Sequence, residues 1–133
     1  MSSDAPYIID AYDWKSRRVR MTRRTFERHV PYHPEIVDYI GEAQEAIADP
    51  DIVLEADNGA NYLYRFGLGR SPFSRLWLMV VVYYQSSRHE EEGTIATYFF
   101  TDSLDQRARQ IAYRAQMIGG QRFRLDSEGG KND

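Results

Sequence analysis

An apolar run of nine residues, LWLMVVVYY at 76–84, is the feature that most constrains how this chain folds. It contains no charged residue, and its three consecutive valines favour an extended backbone. It is far too short to cross a bilayer as a helix. A strand that is apolar on both faces lies inside a sheet with covering layers on each side. We therefore predict that residues 76–84 form a central strand.

Weaker signals on either side of this run predict the remaining elements. Thr22 is a good N-cap for a brief helix, Pro34 suits the first position of a longer one, and Asn58-Gly59 is typical of a hairpin turn. Apolar residues recur at helical spacing near the C-terminus. The predictions are strands at 7–11 and 17–21, helices at 23–29 and 34–48, strands at 52–55, 61–66, 76–84 and 94–100, and a helix at 104–117.

This order of elements predicts the α+β class: N-terminal helices packed on a four-stranded antiparallel β-sheet, with a C-terminal helix. A length of 133 residues suits one domain, which we place at 1–125. The polar end at 126–133 is expected to be disordered. The absence of cysteine excludes disulfides, thiolate zinc sites and cysteine nucleophiles. No signal-peptide pattern is visible, so we expect a cytoplasmic protein without a membrane partner.

Charge is distributed unevenly along the chain. The net charge is −3, yet residues 15–28 hold seven lysines and arginines against one glutamate, and the acids gather over 38–57. A local basic surface can bind phosphates even when the total charge is negative. Alternatively, these arginines simply solvate an exposed strand and helix. A second basic cluster comprises Arg107, Arg109, Arg114, Arg122 and Arg124.

Two of the three histidines stand four residues apart in RHVPYHPEI, at 28–36. Pro31 and Pro34 interrupt any single helix through His29 and His33, which argues against a metal-binding pair on one helical face. Two interpretations stay open. The histidines are structural, with His33 capping a helix and His29 bonding a carbonyl, or they are proton-transfer groups facing a phosphate, since the imidazole pKa is about 6.5.

Two strands carry further polar groups of interest. Arg65, in NYLYRF, is either a charge on the sheet surface or a bidentate phosphate ligand. Thr97 and Tyr98, in GTIATY, are ordinary strand residues or phosphate contacts. Cleavage of RNA without a metal needs a base, an acid and neutralisation of phosphate charge. Exposed tyrosines can also stack on unpaired bases.

Several segments together resemble a known family. VRMTRRTFERHVPYHPEI, AIADPDIV, YLYRF, LMVVVYY and TIATYF are similar to the phage-type nuclease domains of the Barnase–EndoU–colicin–RelE superfamily, over about residues 18–101. The His-Pro-Glu and Pro-Asp segments are the most specific. The resemblance implies catalytic roles for His29, His33, Arg65, Thr97 and Tyr98. Beside the resemblance, the basic flank and the tyrosines predict substrate binding by Arg20, Arg23, Arg24, Arg28 and Tyr64, and we expect no metal or cofactor.

The function that this resemblance implies is metal-independent endoribonuclease activity, with RNA as the partner. RNA would be cleaved by internal transesterification to a 2′,3′-cyclic phosphate, in the manner of a phage or mobile-element toxin. A neutralising antitoxin or immunity protein of acidic character would then cover residues 15–28. The alternative is a catalytically inactive nuclease-like fold that binds RNA or a protein. Convergence of His29, His33, Arg65 and Thr97 in one open cleft would favour the enzyme.

Overall fold

The computed structural model of the chain describes residues 6–56, 58–86 and 91–104, together with the backbone of three strands at 108–114, 116–118 and 121–123. The predicted polar tail, His89 and the side chains of the second arginine cluster lie outside the described residues. None of the helices described there is both long and apolar enough to span a bilayer.

The described chain consists mostly of strands, with three short helical segments between the second and third strands. In chain order the elements are β1 (Tyr7–Tyr12), β2 (Arg18–Thr22), α1 (Arg23–His29), a 3₁₀ helix (Pro34–Tyr39), α2 (Ile40–Ala48), β3 (Ile52–Ala56), β4 (Ala60–Phe66), β5 (Trp77–Ser86), β6 (Glu91–Thr101), β7 (Ala108–Arg114), β8 (Gln116–Ile118) and β9 (Gln121–Phe123).

The main sheet has seven strands in the order β1-β2-β6-β5-β4-β3-β7, and β8 and β9 form a separate ribbon. Strands β3 to β6 are antiparallel neighbours, whereas β2 runs parallel to β6, with Val19 opposite Gly93. The prediction of a four-stranded antiparallel sheet with N-terminal helices is therefore wrong. The two N-terminal strands join the same sheet and make it mixed, because β2 pairs with the start of β6.

The predicted C-terminal helix is also wrong. Residues 108–114 form β7, which pairs antiparallel with β3 and places Leu54 opposite Ile111. Strand β3 would otherwise leave a row of unpaired N–H and C=O groups at the sheet edge. Pairing along that edge outweighs a helical spacing of apolar residues, since local propensity is a weak preference that tertiary contacts override.

Strand β5 occupies the middle of the seven-stranded order, which confirms the prediction from its apolar run. Its side chains alternate between two separate buried clusters. Leu78, Val80 and Val82 pack with residues of α1, the 3₁₀ helix and α2, and Met79 and Val81 pack on the opposite face. We call these the helix face and the open face of the sheet. Burying each such side chain contributes about 1.5–3 kcal/mol.

A bulge in β6 decides which side chains reach which face. Val81 pairs with Thr97, but Val82 pairs with Ile95, so Ala96 is an extra residue in the ladder. Because of this extra residue, Ile95 and Tyr98 both lie in the core of the helix face, although an unbroken strand would place them on opposite sides.

Candidate functional site

The basic stretch at 15–28 divides into two parts with different surroundings. All three arginines at 17–20 form close ion pairs with carboxylates of the same chain, so their charge is largely neutralised. Arg20, a predicted substrate ligand, belongs to this group. The pairs are Arg17–Asp13 at 2.9 Å, Arg17–Glu91 at 2.9 Å, Arg18–Asp10 at 2.8 Å and Arg20–Glu92 at 2.9 Å.

Helix α1 carries the second part of the basic stretch. Its N-terminus is fixed by Thr22, whose hydroxyl accepts a hydrogen bond from the Thr25 amide at 3.1 Å, as the sequence predicted. Arg24 and Arg28 are exposed and one turn apart, so they share a helix face. Neither forms an ion pair with any residue that the structure describes. Their guanidinium groups are therefore available to an anion, and Arg23 is partly exposed beside them.

The two histidines lie together at the end of this helix. His29 is the last residue of α1, and the chain turns back so that the His33 amide donates to the His29 carbonyl at 3.0 Å. Both side chains are partly exposed, and the Tyr32 ring between them is 79% exposed. The turn therefore places two imidazoles and one exposed aromatic ring at the C-terminal end of the helix whose exposed side carries Arg24 and Arg28, and Arg28 is close enough to His29 to disfavour its charge. We call these five residues the α1 surface.

Two contacts hold the imidazole of His33. Its ring stacks on that of Phe99, with a centroid distance of 4.6 Å and an interplanar angle of 13°. Its Nδ1 lies 3.7 Å from Oε2 of Glu35, which forms an ion pair when His33 is protonated. A carboxylate facing one ring nitrogen orients an imidazole. His33 is therefore suited to donate a proton from a fixed position.

His29 has a different environment. Burial, the neighbouring His33 and the Arg28 guanidinium all disfavour a positive charge on it, and together they lower the pKa of His29 below 6.5. His29 is thus neutral at pH 7 and able to accept a proton.

We expect the folded protein to show a His29 titration midpoint below 6.5, and Arg28→Gln to raise it, because one of the three causes is then removed. The unfolded chain takes up this proton first as the pH falls. His29 therefore destabilises the fold progressively below pH 6.5, down to its own lowered pKa. NMR of the imidazole C–H signals measures the midpoint. A value above 6.5 would contradict the electrostatics described here.

Arg65 lies away from the α1 surface, at the C-terminal end of α2. Its Nη1 donates to the Asp49 carbonyl at 2.8 Å, and its guanidinium lies 3.2 Å from Glu45, 3.8 Å from the Asp49 carboxylate and 4.0 Å from that of Asp51. Its side chain is only 16% exposed. These carboxylates occupy the positions that phosphate oxygens would need, so Arg65 joins α2 to β4 in the described structure.

Tyr98, like Arg65, makes its contacts within the fold. It is fully buried, and its hydroxyl donates to the Ile36 carbonyl at 2.7 Å. Burial raises the pKa of Tyr98, so the phenol stays protonated and keeps this bond. The Ile36 amide in turn donates to the His33 carbonyl at 3.1 Å. Tyr98 thus holds the 3₁₀ helix against β6 and acts on His33 through it.

Thr97 and Tyr64 lie on the open face of the sheet, opposite Arg65 and Tyr98. Both line a cavity of about 630 Å³. Tyr64 is fully buried and packs edge-on against Trp77, at a centroid distance of 5.9 Å. Its ring therefore has no exposed surface for stacking. Phe99 lines the same cavity, so the His33 ring contacts one of the cavity's walls.

The predicted site is therefore divided into three places. His29, His33, Arg24 and Arg28 come together, Thr97 and Tyr64 lie at the cavity, and Arg65, Arg20 and Tyr98 make contacts within the fold. Sequence reasoning missed Tyr32, Glu35 and Phe99. Glu35 had a visible signal, since it follows His33 by two residues, but the contact of Phe99 depends on how β6 meets the 3₁₀ helix.

Within the described part of the chain, no three histidine or carboxylate side chains are grouped in a way that could hold a metal ion. Comparison with protein-family models, with characterised proteins and with solved structures found no match to this chain.

Proposed function

We propose that this protein is a metal-independent endoribonuclease that cleaves RNA at the α1 surface. The observation that carries the proposal is that two imidazoles in different environments share an exposed surface with two arginines that form no ion pair in the described structure. The segment VRMTRRTFERHVPYHPEI, which resembles phage-type nuclease domains, contains all five residues of this surface, although Tyr32 stands where those domains carry an arginine.

In the proposed reaction, neutral His29 removes the proton from the ribose 2′-OH, and the 2′-oxygen attacks the adjacent phosphorus. The bond from phosphorus to the 5′-oxygen breaks, and His33 donates its proton to that oxygen. The products are a 2′,3′-cyclic phosphate and a free 5′-OH. Glu35 faces Nδ1 of His33 at 3.7 Å and helps to orient the imidazole. Two positioned acid–base groups of this kind accelerate such reactions by about 10²–10⁴-fold each.

Arg24 and Arg28 would supply the charge that the sequence assigned to Arg65. Their guanidinium groups would bind the phosphates next to the cleaved bond and stabilise the charge that develops there. Tyr32, which is 79% exposed, offers a ring on which an unpaired base can stack. Such a surface selects single-stranded RNA in the cytoplasm. A neutralising partner would have to present carboxylates to the same two arginines.

The proposal predicts that purified protein cleaves single-stranded RNA at pH 7 in excess EDTA and leaves 2′,3′-cyclic phosphate ends. RNA with a 2′-deoxyribose at the cleaved position would stay intact, because the nucleophile is missing. The double variant Arg24→Gln/Arg28→Gln should raise KM and reduce the salt dependence of binding by about one unit of slope for each lost contact. Gel mapping of labelled RNA and binding titrations at several salt concentrations measure both effects.

Arg18→Gln is the matched control, because Arg18 is also an exposed arginine but already pairs with Asp10 at 2.8 Å. It should leave KM nearly unchanged. Intact RNA under every condition would overturn the nuclease proposal. RNA that stays intact but binds in a way that depends on Tyr32, Arg24 and Arg28 would instead identify an RNA-binding module with a nuclease-like sequence.

A further inference from the structure

We infer that the cavity on the open face of the sheet holds one unpaired nucleobase of the RNA, next to the ribose–phosphate at the α1 surface. This inference rests on the proposed function for its ligand. It assigns base selection to a different face of the sheet from the histidines. The cavity lies between β5 and β6 on the face opposite the helices and is bordered by the turn at Asn58 and the segment at 103–104.

The size and lining of the cavity favour a flat, uncharged ligand. Its volume of about 630 Å³ falls within the range of about 300–1,000 Å³ that is usual for small-ligand sites. No charged side chain belongs to the lining that the structure describes. The inner wall includes the buried Met79 and Val81, whereas Asn58 and Ser103 at the rim are exposed and polar. An apolar interior with a polar rim matches the apolar faces and polar edge of a nucleobase.

Thr97 gives the cavity a specific polar group. Its Oγ1 is buried and has no hydrogen-bond partner in the described structure. Buried hydroxyls are normally satisfied, so an unsatisfied one at a cavity wall is suited to bond a ligand. A hydroxyl can donate or accept, so it can bond the polar edge of a base. A phosphate or a carboxylate would find no positive charge in this lining and is not the expected ligand.

Phe99 connects the cavity with the proposed catalytic pair. One ring both lines the cavity and stacks on His33 at 4.6 Å. A nucleotide whose base enters the cavity would therefore keep its ribose near His33. The strand β2 pairs with β6 at 92–94, so it does not extend along the part of β6 that carries Phe99. RNA would pass over this part of the β6 edge.

The test uses short RNAs that carry a 2′-deoxyribose at the cleaved position and differ only in one flanking base. Because these RNAs cannot be cleaved, binding is measured independently of catalysis. Wild-type protein should prefer one of the four bases by about three- to tenfold in Kd, the range that a single neutral hydrogen bond gives. Thr97→Val, which replaces the hydroxyl with a methyl group, should reduce that preference to within about twofold.

Ser103→Trp places a bulky side chain at the exposed rim and should abolish the preference without disturbing the core. Ser74→Trp is the matched control, because Ser74 is equally exposed and does not line the cavity. Equal binding of all four bases by wild-type protein, or a preference that survives Ser103→Trp, would overturn the inference. The same RNAs with ribose at every position report cleavage. If they are cleaved but wild-type protein binds all four bases equally, the cavity assignment alone is wrong. If a base preference is found but none of these RNAs is cleaved, the nuclease proposal alone is wrong.

Discussion

Replacing His29 with alanine should lower kcat for RNA cleavage by about 10²–10⁴-fold at pH 7, with little change in RNA affinity. His29 is neutral at this pH because burial, His33 and Arg28 lower its pKa, so it can take the 2′-OH proton directly. The substitution should not unfold the protein, since His29 is partly exposed and ends α1. Initial rates over a range of RNA concentrations separate kcat from KM.

Two further measurements distinguish a base from a residue that only supports the helix. Added imidazole should restore part of the activity of His29→Ala, because a diffusing base can enter the space that the side chain left. The wild-type rate should also fall on the acidic side with a midpoint below 6.5, as His29 becomes protonated. Glu27→Ala, at an exposed position of the same helix, is the control and should keep kcat. If His29→Ala retains wild-type kcat, His29 is not the base.

Elements that depend on neighbouring residues could be predicted from the sequence. The two-faced apolar run gave the central position of β5. The turn between β3 and β4 follows from Asn58 and Gly59, since Gly59 has a φ of +89° and the Asn58 side chain accepts from the Ala60 amide at 3.0 Å. The N-cap at Thr22 likewise needs only the residues within one helical turn.

Features that depend on distant pairing could not be predicted in this way. The bulge at Ala96 places Tyr98 on the face opposite to the one that a regular strand starting at Ile95 would give it. Nothing in the alternation of apolar and polar residues along the strand predicts this bulge. The strand at 108–114 forms because β3 offers an unpaired edge, a fact of topology and not of local sequence. Errors of this kind shift whole sets of side chains from one face to the other.

For the same reason, the residues predicted to form one site lie in separate places in the structure. Residues close in sequence, from Arg24 to His33, stay together because one helix and one turn connect them. Arg65 was joined to them by family resemblance, but in the fold it meets the carboxylates that end α2. An arginine in a strand carries no signal that tells a phosphate ligand from a partner of nearby carboxylates. Only the partners around it decide between these roles.

Asp13→Ala should lower the free energy of unfolding more than any other substitution proposed for this protein, because the Asp13 carboxylate anchors the turn between β1 and β2. The side chain is fully buried and accepts four hydrogen bonds, from the amides of Lys15 and Arg17, Nε of Arg17 and the hydroxyl of Tyr84, at 2.7–2.9 Å. The Arg17 guanidinium also lies 3.8 Å from the centre of the Tyr84 ring. One carboxylate therefore joins the turn to the central strand β5.

Removing it leaves the largely buried Tyr84 phenol and Nε of Arg17 without their acceptor, although Nη1 of Arg17 keeps its pair with Glu91. Burial alone already raises the pKa of that phenol, so it stays protonated. Leaving a buried donor unsatisfied costs about 1–3 kcal/mol, so losing the acceptor of both donors should cost about 2–6 kcal/mol. Such a loss is a large part of the free energy of unfolding of a typical domain, which is about 5–15 kcal/mol. Asp10→Ala is the control, because the Asp10–Arg18 pair is exposed and ion pairs at the surface contribute little to stability. In urea unfolding, Asp13→Ala should have a clearly lower midpoint than wild-type protein at an unchanged slope, whereas Asp10→Ala should stay close to wild type. If both variants lose the same free energy of unfolding, the buried Asp13 carboxylate has no special role in the fold.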